Sequence, residues 1–215
     1  MNSKKRIEDF KKAFYNDGFQ LGIKAAGADA NKTSMFSSIR EMYTAIEDVI
    51  ESLHTLALQQ GQAIECKLGC DWCCHQPVFA LDYELDYLGN YINEYFDRET
   101  IIEIKSKAKQ KQDNLGKLED DALLNSKHAC PLLKEGVCIA YEVRPMACRI
   151  YLSSSVKTCL HFFEVPDDKN NYPALFDIPI GLGRMLNEGF KAALKMNGII
   201  TKEFRIEEKL LDLKY

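Results

Sequence analysis

Residues 34–61 read SMFSSIREMYTAIEDVIESLHTLALQQG, and after four more residues the chain continues CKLGCDWCCH over 66–75. In the first stretch Met35, Ile39, Met42, Ile46, Val49, Leu53 and Leu56 recur every three or four positions, which draws one apolar stripe along a helix. Gly61 stands where such a helix stops. The second stretch keeps neither a helical nor a strand period. Its cysteines, Cys66, Cys70, Cys73 and Cys74, therefore fall in a loop that follows a long helix. The expected fold is mainly α: a single helical domain around an irregular, cysteine-rich metal-binding core.

The flanks repeat this alternation. Upstream, Phe10, Phe14 and Leu21 predict a helix from about Ile7 to Ala26, weakened by Gly18 and Gly22. Downstream, Pro77 to Leu81 is extended in character. Asp82 can cap a helix to about Phe96 with Leu85, Leu88 and Ile92 on its buried face. Asp97 caps a further helix from Arg98 to about Asn125, broken near Gly116. Lys105, Lys107, Lys109 and Lys111 step by two, which spreads them over that helix as a solvated face. Leu132-Leu133, the turn Lys134-Glu135-Gly136 and Val137 to Ile139 predict a small hairpin, and Pro145 excludes a long helix beyond it. Ser153-Ser154-Ser155 reads as loop, as do residues 160–179 with Pro166, Pro173 and Pro179. A helix returns from about Ile180 and stops at Asn197-Gly198, and Thr201 to Lys214 is read as helical. The expected domain is the whole of 1–215: N-terminal helices over 1–61, the cysteine region with inserted helices over 62–160, and a loop with C-terminal helices over 161–215.

Composition narrows the function classes. Lys plus Arg is 28 against 32 for Asp plus Glu, a net charge of −4 that argues against a nucleic-acid binder. Hydrophobic residues at 46% and charged residues at 28% belong to a globular chain rather than a disordered one. The longest apolar run, around Val78 to Leu81, is far short of the ~18 residues of a membrane span. No apolar stretch follows Lys4, Lys5 and Arg6, so no secretory signal is read and a cytoplasmic location is expected. In a reducing compartment clustered cysteines bind metal or do redox chemistry more often than they form disulfides.

Cys70-x-x-Cys73 is a spacing at which two thiolates chelate one ion, and Gly69 gives the loop backbone freedom. Four more cysteines, Cys130, Cys138, Cys148 and Cys159, form a second region. Adjacent Cys73 and Cys74 reach a single ion only with strain. They face two different ions, or one of them is a buried apolar thiol. Eight cysteines permit two four-thiolate sites without requiring them. His75, His128 and His161 each lie within two residues of a cysteine, as possible ligands, as donors behind the ligands, or as plain loop residues. Arg144 and Arg149 flank Cys148. They either hydrogen-bond to the sulfurs and offset a thiolate site's negative charge, or pair with carboxylates such as Glu142. Trp72, between two candidate ligands, shields the site from water, while Tyr141 and Tyr151, which bracket Cys148, either pack over the metal site or are ordinary core aromatics.

The run Cys66…Gly69-Cys70-x-x-Cys73-Cys74 is followed about 55 residues later by Cys130-Pro131-x-Leu133…Cys138…Tyr141-Glu142-x-Arg144-Pro145-x-x-Cys148-Arg149. This pattern resembles the YkgJ-type cysteine cluster family, zinc- or iron-chelating proteins of the CxxCxxCC type, over about residues 64–160. The resemblance implies that Cys66, Cys70, Cys73, Cys74, Cys130, Cys138 and Cys148 hold metal, with Cys159 as an eighth ligand. The implied function is chelation of zinc or iron, an iron–sulfur cluster being one form. Flagellin lysine N-methylases carry a similar cluster, which implies an alternative: an iron–sulfur-dependent enzyme such as a protein-lysine N-methyltransferase. For that alternative the sequence offers one G-x-G, Gly181-Leu182-Gly183, with a helix after it and no convincing strand before. No Ser/His/Asp order and no H-E-x-x-H motif is present. The partner named by the residues is the metal ion; they name no substrate and no protein partner.

Overall fold

Asn31 begins the longest helix among the residues that the computed structural model describes, which are 3–27, 31–62, 64–67 and 69–214. The Asn31 side chain accepts the Ser34 N–H at 3.0 Å, and the Ser34 hydroxyl oxygen accepts the Asn31 N–H at 3.0 Å. This reciprocal cap satisfies two helix-start donors. The chain runs α1 (Ser3–Ala26), α2 (Lys32–Gln59), β1 (Phe79–Leu81), α3 (Asp82–Tyr95), α4 (Arg98–Leu115), α5 (Asp120–Asn125), β2 (Leu133–Lys134), β3 (Val137–Cys138), α6 (Met146–Arg149), α7 (Val156–Glu164), α8 (Asp177–Met196), β4 (Glu203–Arg205) and α9 (Ile206–Leu210), with 3₁₀ turns at Trp72–His75 and Tyr141–Val143. Helix, 3₁₀ turns included, takes 65% of the described residues and strand 6%, so the fold is mainly α, as expected.

Two compact units divide these elements. The first holds Met1–Gly61, Arg149–Tyr151 and Phe176–Lys202, and so contains α1, α2 and α8. On α2 the predicted stripe is buried at Ile39, Met42, Tyr43, Ile46 and Ile50. α1 and α8 run in the same direction, since Lys11 meets Gly181, Gly18 meets Leu186 and Gly22 meets Ala193. Their approach is close. A Cβ on Gly18 would fall 2.1 Å from the Leu186 carbonyl oxygen, and one on Gly189 would fall 2.0 Å from that of Tyr15. The glycines that weaken α1 as an isolated helix are what let α8 lie against it.

The second unit holds Gln62–Cys148, Leu152–Leu175 and Glu203–Tyr215, and all eight cysteines lie in it. Its helical core is α3, α4 and α9. Leu85, Leu88 and Ile92 of α3 are buried as predicted, and α4 buries Ile101, Ile104, Ala108, Lys111 and Leu115. The side chain of Asp97 accepts the Thr100 N–H at 2.7 Å and caps α4. β1 pairs antiparallel with β4, Phe79 opposite Arg205 and Leu81 opposite Glu203. The C-terminal segment is thus a short strand followed by a short helix, where the sequence predicts helix throughout. Residues 160–179 differ too: the Val156–Glu164 helix occupies the start of the expected loop.

The lysines of α4 do not form a solvated face. Lys107 is half-buried and Lys109 exposed, and they pair with Glu103 and Asp113. Lys105 reaches inward to the Leu213 carbonyl at 2.7 Å, and Lys111 is only 4% exposed. A two-residue step on a helix places some side chains on the buried stripe, and Lys111, three and seven residues beyond Ala108 and Ile104, is one of them.

Candidate metal centre

The first cysteine stretch is built from tight turns. Gly69 takes φ +88°, a left-handed conformation that glycine adopts without strain. The Cys70 N–H bonds the Lys67 carbonyl at 2.9 Å, and the Cys74 N–H bonds the Asp71 carbonyl at 2.8 Å. Cys73 and Cys74 both sit on the Trp72–His75 turn, which packs its aromatic side chains on α7: Trp72 and His75 lie 5.2 and 5.0 Å from Phe163, ring centre to ring centre.

Backbone bonds join the second cysteine region to the first. The His128 N–H donates to the His75 carbonyl, and the Cys130 N–H to the Cys74 carbonyl, each at 2.8 Å. Cys138 follows in the β2–β3 hairpin, opposite Leu133. Glu135 at φ +52° and Gly136 at φ +77° make the paired left-handed turn that a two-residue hairpin loop requires. Cys148 is carried by α6, whose leading N–H, that of Met146, donates to the buried Glu84 carboxylate at 2.7 Å. Ser153 ties the two ends of the region. Its carbonyl accepts the Cys66 N–H at 3.3 Å, and its side chain bonds the Cys159 sulfur.

The sulfurs form one network that leans toward two groups, with Cys73 common to both. Within Cys66, Cys70, Cys73 and Cys159 every pair interacts electrostatically. In the second group Cys74 interacts with Cys130 and Cys148, and Cys138 with Cys130 and Cys148, while Cys130 and Cys148 interact with each other. Cys73 reaches the second group as well, through Cys74, Cys138 and Cys148. Several sulfurs already receive backbone donors. The N–H groups of Trp72, Leu132 and Ala140 serve Cys70, Cys130 and Cys138, in each case from two residues further on, and that of Ser153 serves Cys66. Such N–H···S bonds favour the ionised form that a metal ion needs.

Burial acts the other way. It pushes the Cys66 and Cys130 thiols up to about 11, and that of Cys148 well up. It also raises Cys70, Cys138 and Cys159. The Cys73 and Cys74 sulfurs share a hydrogen bond, which holds Cys73 below the ordinary thiol range and Cys74 above it. A metal ion entering here displaces protons from most of these thiols.

The two arginines part company. Arg144 lies over the Tyr141 ring at 3.7 Å, donates to the Tyr141 carbonyl at 2.8 Å, and its charge favours the thiolates of Cys73, Cys138 and Cys148. Arg149 instead pairs with Glu47 at 2.5 Å and lies over the Tyr43 ring. Of the histidines, His75 turns Nδ1 to the Asp71 carbonyl at 3.1 Å and His161 turns Nε2 to Asp168 at 3.0 Å, while His128 contributes its backbone. Three groups that serve the cysteines escaped the sequence reading. Lys111 could have been found from the helical period of its apolar neighbours, but nothing local marks Glu84 or Ser153.

Among the described residues no three His, Cys, Asp or Glu donors close on one point. The donor set fits zinc or iron: free thiols in backbone-tied groups, N–H donors on the sulfurs, and cations beside them. Gly181-Leu182-Gly183 lies inside α8 rather than in a turn between strand and helix, so it forms no phosphate-cradling loop. No helix among the described residues is long and apolar enough to cross a membrane. Comparison with curated proteins and with solved structures found no match. A family model described as "CxxCxxCC: Putative zinc- or iron-chelating domain" matches residues 65–171, a span that includes every cysteine, and this part of the chain belongs to that family.

Proposed function

We propose that this protein binds two zinc or iron centres, one in each four-thiol group, and that the metal organises the irregular half of the second unit. The observation that supports the reading is the grouping of the sulfurs, with Cys73 bordering both groups and assigned here to the first. Cys66, Cys70, Cys73 and Cys159 hold one centre; Cys74, Cys130, Cys138 and Cys148 hold the other. Four thiolates saturate a tetrahedral zinc ion or an iron–sulfur cluster and leave no position for substrate, so the centres are structural or electron-transferring. Arg144 offsets part of the negative charge, and the N–H donors hold the sulfurs in place.

The test is metal content and stoichiometry of protein purified without oxygen, together with its visible spectrum. The expected result is two centres per chain. Cys70→Ser and Cys130→Ser should each lose one and keep the other. A single centre, or loss of both in either variant, overturns the two-centre reading. Visible absorption assigns iron–sulfur, and a colourless zinc-loaded protein assigns zinc.

A further inference from the structure

The two thiol groups differ in the balance of charge around them. A divalent ion held by four thiolates leaves a site near −2, so neighbouring charge changes its affinity, strongly where water is excluded. Beside the group of Cys74, Cys130, Cys138 and Cys148 stand two cations. Lys111 is 4% exposed, its ammonium donates to the Gln76 carbonyl at a long 3.3 Å, and its charge acts on Cys130. A buried ammonium with so little compensation is costly unless an anion lies near it. Arg144 acts on Cys138 and Cys148. The carboxylate of Glu207 also reaches Cys130, but Arg205 holds it in an ion pair at 3.2 Å. The other group has carboxylates instead. Asp71 acts on Cys70 and Cys73, and Glu65 on Cys159, although Glu65 also accepts the Val156 N–H at 2.6 Å. Arg144 reaches this group only at Cys73 among the contacts described above.

We infer that the two groups are unequal: the group of Cys74, Cys130, Cys138 and Cys148, served by Lys111 and Arg144, takes the first metal ion, and the group of Cys66, Cys70, Cys73 and Cys159, flanked by Asp71 and Glu65, takes the second and gives it up first. This rests on the two-centre reading. It makes Lys111 the buried counter-cation of the tight centre and the carboxylate-flanked group an exchangeable one. Such a chain keeps one ion as part of its structure and passes the other to any thiol-bearing acceptor that binds zinc more tightly.

The experiment titrates the full chain, stripped of metal and kept reduced without oxygen, with Zn²⁺ against a competing chelating dye. The expected result is two equivalents separated by about tenfold or more in affinity. Cys70→Ser should retain the tighter equivalent and Cys130→Ser the weaker. Lys111→Met should weaken the tighter equivalent by roughly tenfold, while Lys107→Met, the same charge change at a half-buried position of α4 whose lysine pairs with Glu103, should move it by less than about twofold. Far-UV circular dichroism checks the fold of each variant, and Arg144→Gln repeats the test should Lys111→Met fail to fold. Equal affinities, retention of the tighter equivalent by Cys130→Ser, or identical effects of Lys111→Met and Lys107→Met overturn the inference. Binding of a single equivalent or none by the unmodified chain instead overturns the two-centre reading beneath it.

Discussion

Glu84 is a charged side chain in an apolar interior, 1% exposed, and its position explains it. It stands in the first turn of α3, where its Oε2 accepts the Leu81 N–H at 3.4 Å. Its Oε1 accepts the Met146 N–H at 2.7 Å and so holds the start of α6 as well. Helix starts present unpaired N–H groups and partial positive charge, so one carboxylate between two of them is compensated where a lone buried carboxylate is not. Cys148 lies two residues beyond Met146, and Glu84 is therefore a positioning residue for that thiol. Glu84→Gln keeps the shape but removes the charge and turns an amide donor toward one of the two N–H groups. The expected cost is about 1–3 kcal/mol in urea unfolding, with weaker zinc binding at the Cys130 group. Wild-type stability in that variant would show that the carboxylate is not what holds α6.

At the scale of elements, the close approach of α1 and α8 makes its own prediction. Gly18→Ala and Gly189→Ala place a methyl group against backbone at 2.1 and 2.0 Å, and backbone within a helix cannot step aside as a side chain can. Overpacking of this kind costs about 1–3 kcal/mol, which exceeds the ~1 kcal/mol that alanine gains over glycine in a helix interior. Gly181→Ala is the contrast: its methyl group meets only the flexible end of Lys11 at 3.6 Å, so that variant should be neutral or slightly more stable. Thermal melts of the three variants check the ordering, and equal melting temperatures would mean that the helices separate without cost. The same pair of helices shows what the sequence could reveal. A cap residue and an Asn-Gly stop marked α4 and α8, while local periodicity located α1, α2 and α3 by their apolar stripes. It could only count Gly18 and Gly22 against α1, because their use depends on a partner helix far along the chain. The β1–β4 pairing was hidden for the same reason: three residues carry no period, and Phe79 to Leu81 acquire a ladder only through Glu203 to Arg205. The cysteine spacings suggested thiol ligands, but not which segments meet. That depends on the Cys130–Cys74 backbone bond and on Ser153, neither of which has a local signature.

Over the whole molecule, the two units draw on different sources of stability. The first buries helix against helix, with Ile39, Met42, Ile46, Leu186, Phe190 and Leu194 essentially inaccessible to water. In the second, α3, α4 and α9 pack in the same way. The cysteine-bearing segments are turns, two-residue strands and helices of four to nine residues. Helices that short are not stable by themselves. On the function proposed above, the metal fixes them beyond their backbone bonds, and its binding adds to folding stability in proportion to the logarithm of its concentration over its dissociation constant. Trp72, the one tryptophan of the chain, sits between Cys70 and Cys73 and reports on this part of the molecule. Removing the metal with a chelator in reducing, oxygen-free buffer should lower the melting midpoint read from Trp72 emission by more than ~10 °C. At about 2–4 °C per kcal/mol for a chain of this size, that corresponds to a loss of at least ~3 kcal/mol. Zinc added back should restore the midpoint. Cys70→Ser should show a smaller drop on chelation than the unmodified chain, since it has one centre fewer to lose. A midpoint indifferent to the chelator would remove the metal from the structural role assigned to it, because a ligand that binds only the folded state cannot leave without lowering its stability.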